Sequence, residues 1–278
     1  MSNLFYYSYY GNKRTEIKHF SDVITKLIAK KEINTIVEPF CGSCALSLDL
    51  FVKKALKTLT YHMNDRDDHL ISFFYDVKDN TCKKYIDYCN DYNKEFTCEK
   101  WKAQIKKYHK EPYEPLNYFY FHAFEYESRD PKFYDEKPSI RKTLKFENYK
   151  DTDEFFKKAT LTCQDFRLIF EKYKDNANAL LFLDPPYLDS CNKSYIGFEV
   201  VQDETGRLID NTKIYIDILN FFKEAKCKII MILNDNAIIR HLYGPWIKRS
   251  YGKTYMSGSS GKGKHKRNTD HLIISNIK

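Results

Sequence analysis

A chain of 278 residues can bury a substantial core, and its length suits one large domain or two unequal ones. Lysine and arginine number 46 against 38 aspartates and glutamates, a formal net charge of +8 that favours a polyanionic partner. Eight cysteines at irregular spacings, no signal peptide and no apolar run long enough to span a bilayer argue against a secreted disulfide scaffold or a membrane protein. A reduced, intracellular protein is expected.

The chain opens on an aromatic run, residues 5–10, which leads into Gly11-Asn12-Lys13. Ile17, Phe20, Val23, Ile24, Leu27 and Ile28 follow at helical spacing and predict one apolar helix face. Residues 35–37 read as a short strand, followed by Glu38-Pro39-Phe40-Cys41-Gly42-Ser43-Cys44 and a helix marked by Ala45, Leu46, Leu48 and Leu50. A strand, a glycine turn and a helix make a ligand loop at a helix N-terminus. Gly42 would let backbone approach the ligand, and Ser43 could cap the helix. Cys41 and Cys44 form a C-x-x-C, but no second ligand pair follows at zinc-finger spacing, so no metal site is expected. Residues 59–63 predict another strand, ending at Asn64-Asp65-Arg66-Asp67. An acid at the tip of such a strand can bind both hydroxyls of a ribose, which points to Asp65. Asp67 and Asp68 read as capping acids of a helix through Leu70, Phe73, Phe74 and Val77.

Between residues 76 and 149 the alternation of strands and helices stops, and the span becomes dense in lysine and tyrosine. Its aromatics, Trp101 and the tract 118–124 among them, suit either base stacking or the core of a small helical domain. Alternation resumes with Leu161 to Phe166 and with a continuous apolar run, residues 179–183, that predicts a parallel strand covered on both faces. That run stops at Asp184-Pro185-Pro186-Tyr187. The two prolines forbid helix or ladder continuation, so Asp184 is held at the carboxyl end of a strand, where open α/β sheets place their ligands. Pro185 offers a carbonyl with no competing amide donor, and Tyr187 offers a flat ring. That set can hold an exocyclic amine and stack its base. Farther on, residues 188–206 predict a loop over the site, residues 229–233 a strand, and Asn234-Asp235-Asn236 another strand tip. Residues 246–269 carry seven lysines and arginines and no acid. The stretch 258–264 is a basic glycine-serine loop between two expected strands, without the Gly-Lys-Ser/Thr ending of a phosphate-binding Walker loop.

Asp-Pro-Pro-Tyr resembles the catalytic signature of amino-methyltransferases. The order of parts across most of the chain resembles Dam-like, alpha-type N6-adenine DNA methyltransferases: Tyr-x-Gly-Asn-Lys, Glu-Pro-Phe-x-Gly-Ser, the ribose acid, an insert, then Asp-Pro-Pro-Tyr. The resemblance implies a Rossmann-like α/β methyltransferase fold, a mostly parallel seven-stranded sheet with a C-terminal antiparallel hairpin, plus a small, mainly helical target-recognition insert. It places the catalytic domain in residues 1–75 and 150–278 and the insert in 76–149. It implies S-adenosylmethionine as methyl donor and N6 of a flipped-out adenine in double-stranded DNA as acceptor. Catalysis would fall to Asp184, Pro185, Pro186 and Tyr187. Tyr9, Asn12, Lys13, Glu38, Phe40, Gly42, Asp65, Asp165, Phe166 and Asp184 would contact the cofactor, with Asp165 at the adenine amine and Phe166 on its face. Arg129, Arg141, Lys262, Lys264, Lys266 and Arg267 are the candidates for DNA contact. A monomer or weak dimer is expected, and no partner restriction endonuclease is indicated.

Two departures stand out. Cys44 replaces the family's more usual second loop glycine, and residues 121–129 lack the family's Asn-Arg-x-Gly-Phe-Asn-like element. The target sequence is therefore not assumed to be the familiar palindrome. An RNA adenine-N6 methyltransferase and a non-catalytic nucleic-acid-binding module with the same fold are the alternatives. A protein glutamine methyltransferase has no obvious use for the aromatic-basic insert.

Overall fold

The computed structural model describes residues 13–53, 56–92, 94, 98–111, 113–124, 149–187, 212–257 and 265–277. Five segments form parallel strands: β1 (Thr35–Glu38), β2 (Thr60–Asn64), β3 (Thr160–Thr162), β4 (Ala179–Leu183) and β5 (Lys228–Asn234). A C-terminal hairpin of β6 (Ile247–Ser257) and β7 (His265–Ser275) completes one seven-stranded sheet in the order β3-β2-β1-β4-β5-β7-β6. β7 runs antiparallel to both of its neighbours. This is the Rossmann-like arrangement with a terminal antiparallel hairpin that the resemblance implies.

The register decides what the sheet can present. Val37 pairs with Leu181 and Leu183 with Met231, so β1 and β4 end within about one residue of each other while β5 runs on to Asn234. Strand order reverses between β1 and β4, and ligands of open α/β sheets sit outside the carboxyl ends at such a switch. All five residues of β4 are buried, as a parallel strand covered on both faces requires.

Side chains alternate along each strand, so successive residues feed two cores. Ile36, Leu180, Phe182, Ile230 and Ile232 face one layer of helices. That layer contains α1 (Ser21–Ala29), α2 (Ala45–Leu48, extended by a π-helical turn over Asp49–Lys53), α3 (Asp68–Asp79) and α7 (Tyr149–Lys158). Val37, Leu181, Leu183, Ile229 and Met231 face the other, which contains α8 (Phe166–Tyr173), α9 (Thr212–Glu224) and α10 (Ala237–Tyr243). No described helix is long and apolar enough to cross a membrane.

Local rules explain most of the boundaries. Asp67 caps α3 by accepting from the Leu70 N–H at 3.1 Å, as the sequence predicts. Two details differ. The first helix starts only at Ser21, after a 3₁₀ turn over Ile17–His19, and Val23 faces solvent at 44% exposure rather than joining the apolar face. Ser43 does not cap α2. The cap position is Cys44 in the left-handed region at φ 53°, and the free N–H of Ser47 is taken by the Glu38 carboxylate at 2.9 Å.

The insert is helical: α4 (Cys82–Tyr92), α5 (Cys98–Lys110) and α6 (Pro115–Phe124) lie between α3 and α7. Asp153 of α7 accepts from the first N–H of α4 at 2.7 Å, and Gln104 of α5 donates to Asn117 of α6 at 2.8 Å. Tyr85, Tyr118 and Phe119 are fully buried around Phe73, while Lys83, Lys84, Lys106, Lys107 and Lys110 are exposed. These aromatics form the core of the insert, and its lysines form its surface.

Where the sheet meets α7, three rings meet edge to face: Phe155 lies 5.5 Å from Phe51 and 5.4 Å from Tyr61. Phe155 is fully buried. Phe155→Ala should therefore destabilise the fold by about 3–5 kcal/mol, whereas Phe155→Leu should recover most of the loss. Thermal and urea unfolding of the two variants measure the difference.

Candidate active site

The carboxyl edge of the sheet is tied together by Asn64, the last residue of β2. Its side-chain nitrogen donates to the carbonyls of Pro39 and Gln164, both at 3.0 Å. Its oxygen accepts from the Thr162 hydroxyl at 2.7 Å and the Gln164 N–H at 3.0 Å. One fully buried amide with all its hydrogen bonds made thus fixes the loops after β1 and β3 relative to β2. Thr162 continues the chain to His62 at 2.8 Å, and His62 to Tyr173 at 3.0 Å. Burial, helped by the charge of Lys172, pushes His62 down to about 4, so the ring is neutral.

The loop after β1 turns at Gly42, whose φ of 44° is costly for residues with a Cβ, and then at Cys44. The chain thus keeps a glycine-like backbone at the position where it carries cysteine. Both thiols of the C-x-x-C are buried, and burial holds each above the ordinary thiol range. Glu38 is 3% exposed and accepts from the Ser47 N–H and hydroxyl. Burial, opposed by those two bonds and reinforced by the charge of Asp184, pushes its carboxyl up to about 7. It acts from beneath the loop, as the anchor of the α2 N-terminus.

Asp65 stands just past the tip of β2. One oxygen accepts from the Gly42 N–H at 2.9 Å and the other from the Asp67 N–H at 3.1 Å. Burial outweighs these bonds and raises its carboxyl to about 6. The acid therefore braces the glycine turn as well as facing the edge where a ribose would lie.

At the end of β4, Asp184 forms an ion pair with Lys13, Oδ2 to Nζ 2.7 Å, with the two side chains 20% and 5% exposed. Burial raises the Asp184 carboxyl above the ordinary range, against the charge and hydrogen bond of Lys13. The Tyr187 hydroxyl stands 3.5 Å from Oδ1, and the Lys13 ammonium lies 5.1 Å from the centre of the Tyr187 ring. The Tyr215 hydroxyl of α9 donates to the Pro186 carbonyl, and Tyr243 of α10 donates in turn to the Tyr215 carbonyl at 2.7 Å. The proline turn is thus held from below by two buried tyrosines. Lys13, expected to contact the cofactor, here meets the carboxylate of Asp184.

Asp165 caps α8 through the Arg167 N–H at 2.9 Å and also pairs with the guanidinium groups of Arg167 (2.9 Å) and Arg66 (3.3 Å). Phe166 is 6% exposed, packed on Phe40 with centroids 5.0 Å apart and covered by the Arg167 guanidinium at 4.5 Å. A cavity of about 530 Å³ opens beside them, lined by Arg66, His69, Tyr113, Gln164 and Asp165 among others.

The strand tip at 234–236 shows local bonding at two of its residues. Asp235 grips Arg240 through two bonds and Asn236 caps α10, so both serve the local turn. Tyr9, Asn12, Arg129, Arg141, Lys262, Lys264 and the segment 188–211 lie outside the described residues, as do the side chains of Lys266 and Arg267 on β7. Asn64, Tyr215, and the group Glu16, Tyr251, Lys253 and His271 escaped the sequence reading. Asn64 stands one residue before the ribose acid, which was the available signal. The others meet only through pairings across about 235 residues or more of sequence, or across about 29 for Tyr215.

A family model described as the D12 class of N6 adenine-specific DNA methyltransferases matches residues 9–251. The type II methyltransferase M.CviBI of Paramecium bursaria Chlorella virus NC1A is 26% identical over 275 residues, covering 96% of each chain. Among solved structures, a Haemophilus influenzae protein described as a methylase aligns over 93% of this chain and 88% of its own, at 9% identity and a TM-score of 0.33. The rRNA methyltransferase aviRa of Streptomyces viridochromogenes aligns over 93% and 84%, at 8% identity and a TM-score of 0.35. At such scores the fold assignment rests on the strand order itself. With the family model running from the Tyr-x-Gly-Asn-Lys segment through Asp-Pro-Pro-Tyr to β6, the chain belongs to the D12 class of N6 adenine-specific DNA methyltransferases.

Proposed function

We propose that this adenine-specific DNA methyltransferase transfers a methyl group from S-adenosylmethionine to N6 of a flipped-out adenine at a specific site in double-stranded DNA. The observation that carries the reading is the half-buried carboxylate of Asp184 at the carboxyl end of β4, at the switch point of the sheet, next to a proline carbonyl and a tyrosine ring. Lys13 takes Oδ2, so Oδ1 is the oxygen that accepts from the adenine amine, with the Pro185 carbonyl as the second acceptor. Two acceptors on one amine draw its lone pair out of conjugation with the ring and toward the methyl group. Tyr187 stacks on the base. The work of the chain is positioning and charge stabilisation, without a covalent enzyme intermediate. Extruding the base costs roughly a few kcal/mol, which stacking and the two amine bonds must offset.

The residues at the sheet edge fit the donor. Its sulfonium supplies an electrophilic methyl. The Gly42 turn brings backbone close. Asp65 spends one acceptor position per oxygen on the loop, and a carboxylate has about four, so two remain for ribose hydroxyls. Asp165 is already shared among a cap and two arginines, and Phe166 is nearly covered, so we assign the cofactor's base chiefly to the partly exposed ring of Phe40. The basic stretch with Lys262, Lys264, Lys266 and Arg267 is assigned to phosphates and residues 76–149 to target recognition, on charge and on the family order of parts.

Incubation with labelled S-adenosylmethionine and duplex DNA, followed by nucleoside mass spectrometry, should yield N6-methyladenine; N4-methylcytosine alone, or label only in RNA, would refute the reading. Asp184→Asn should lower turnover by roughly 10²–10³-fold or more while DNA affinity persists. Because the acid must be ionised to accept from the amine and burial raises its pKa, the rate should fall with decreasing pH at a point above the ordinary carboxylate range. Neutralising Lys262, Lys264, Lys266 and Arg267 together should flatten the salt dependence of DNA binding, by about one slope unit for each phosphate no longer neutralised. A titration series at several salt concentrations reads this directly.

A further inference from the structure

The described residues contain a line of buried charges of alternating sign that starts at Asp184 and ends in the C-terminal hairpin. Lys13 binds Asp184 at 2.7 Å. Glu16 follows one tight turn later, its N–H on the Lys13 carbonyl at 2.8 Å. Glu16 Oε1 takes the Lys253 ammonium at 2.6 Å; Oε2 takes the Tyr251 hydroxyl at 2.6 Å and Nδ1 of His271 at 2.7 Å. Tyr251 and Lys253 belong to β6 and His271 to β7. The Glu16 side chain is 4% exposed, that of His271 0% and that of Lys253 17%. Burial by itself would raise the Glu16 carboxyl. The hydrogen bond from His271, the charge of Lys13 and the bonds from Lys253 and Tyr251 overcome it and hold the group well below the ordinary range. An ionised Glu16 needs a donor at His271, which places that ring's proton on Nδ1.

We propose that Glu16 is a positioning residue for methyl transfer: it shares Lys13 with Asp184 and so sets how firmly the catalytic acid is held. This rests on Asp184 acting on the amine as proposed above. A buried ion pair is often no more stabilising than apolar side chains of the same volume, because desolvation offsets the attraction. What such a line fixes is geometry and charge. Lys13 bonds Asp184 directly and acts on Glu16 through its charge, so weakening its hold on one strengthens its hold on the other. His271 carries the same anchor to the second catalytic group, since its ring meets Tyr187 edge to face with centroids 5.5 Å apart. Among the described residues, the charged or titratable groups facing Asp184 are Lys13, Glu16, His271, Glu38 and Tyr187.

The signs of two substitutions follow. Glu16→Gln removes the rival anion, so Lys13 binds Asp184 more tightly and the acid ionises more readily. Lys253→Met removes the other cation on Glu16, so Lys13 is drawn from Asp184 and the acid ionises less readily. The test is the pH profile of kcat/KM for DNA with the full-length protein. The acid limb should move to lower pH in Glu16→Gln and to higher pH in Lys253→Met, by about half a unit to one unit each. A merely structural role lowers the rate at every pH and leaves the limb in place. Limbs that coincide with the wild type, or that move in the same direction, overturn the proposal. Should Glu16→Gln fail to fold, Lys253→Met, at a partly exposed position, decides by its sign alone. Asp184→Asn separates the two levels: an active variant sinks the catalytic reading, whereas an inactive one with unmoved limbs elsewhere sinks only the role of Glu16.

Discussion

Concentrating carboxylates at one edge of a sheet is costly, and the way this protein meets that cost shapes its active edge. Glu38, Asp65 and Asp184 all lie at or just beyond the carboxyl ends of adjacent strands, and burial raises all three. Each is held by a different kind of donor. Glu38 has the start of a helix, Asp65 has two loop amides, and Asp184 has a lysine from outside the sheet. The first two donors are backbone or local to their loops and cannot leave. Lys13 arrives from the N-terminal segment and is itself flanked by a fourth acid, Glu16. The acid assigned to chemistry is therefore the one held by a charged side chain from outside the sheet rather than by the helix or loop beside it.

Much of this was legible because it is local. A run of buried residues stopping at Asp-Pro-Pro predicts a strand end whatever the rest of the chain does, and β4 ends there. The glycine turn and the capping role of Asp67 likewise follow from residues within a few positions of one another, whereas the antiparallel hairpin came from the family resemblance. The misses share a cause. Ser43 is a good cap by type, but a buried glutamate nine positions before Ser47 reaches the same helix end first. Val23 has the right spacing, yet the helix begins one turn later than the apolar pattern suggests and rotates it outward. Glu16 and His271 lie 255 positions apart, and no periodicity could pair them.

The insert shows how composition can mislead about role. Its tyrosines and phenylalanines suit base stacking as well as a core; Tyr85, Tyr118 and Phe119 are core, whereas Tyr113 is exposed and bonds Asp68. Its attachment is also more rigid than a linker would give. α3 carries Phe73 into the insert's aromatic cluster, and Asp153 of α7 holds the first turn of α4, so both flanking helices belong to the catalytic body and to the insert together. An insert joined in this way is packed onto the sheet's own helices rather than hung from a linker.

The two cysteines of the active loop carry a practical consequence. Cys41 and Cys44 are buried with thiols held above their ordinary range, whereas Cys163 is exposed on the rim of the cavity beside Asp165. Thiolates, not thiols, react with alkylating and oxidising reagents, and access is needed as well. Of these three sulfurs, the one that such reagents reach first is Cys163, even though burial also raises it. A fluorescent tag there would sit at the mouth of the cavity, while the loop that turns at Gly42 stays chemically silent.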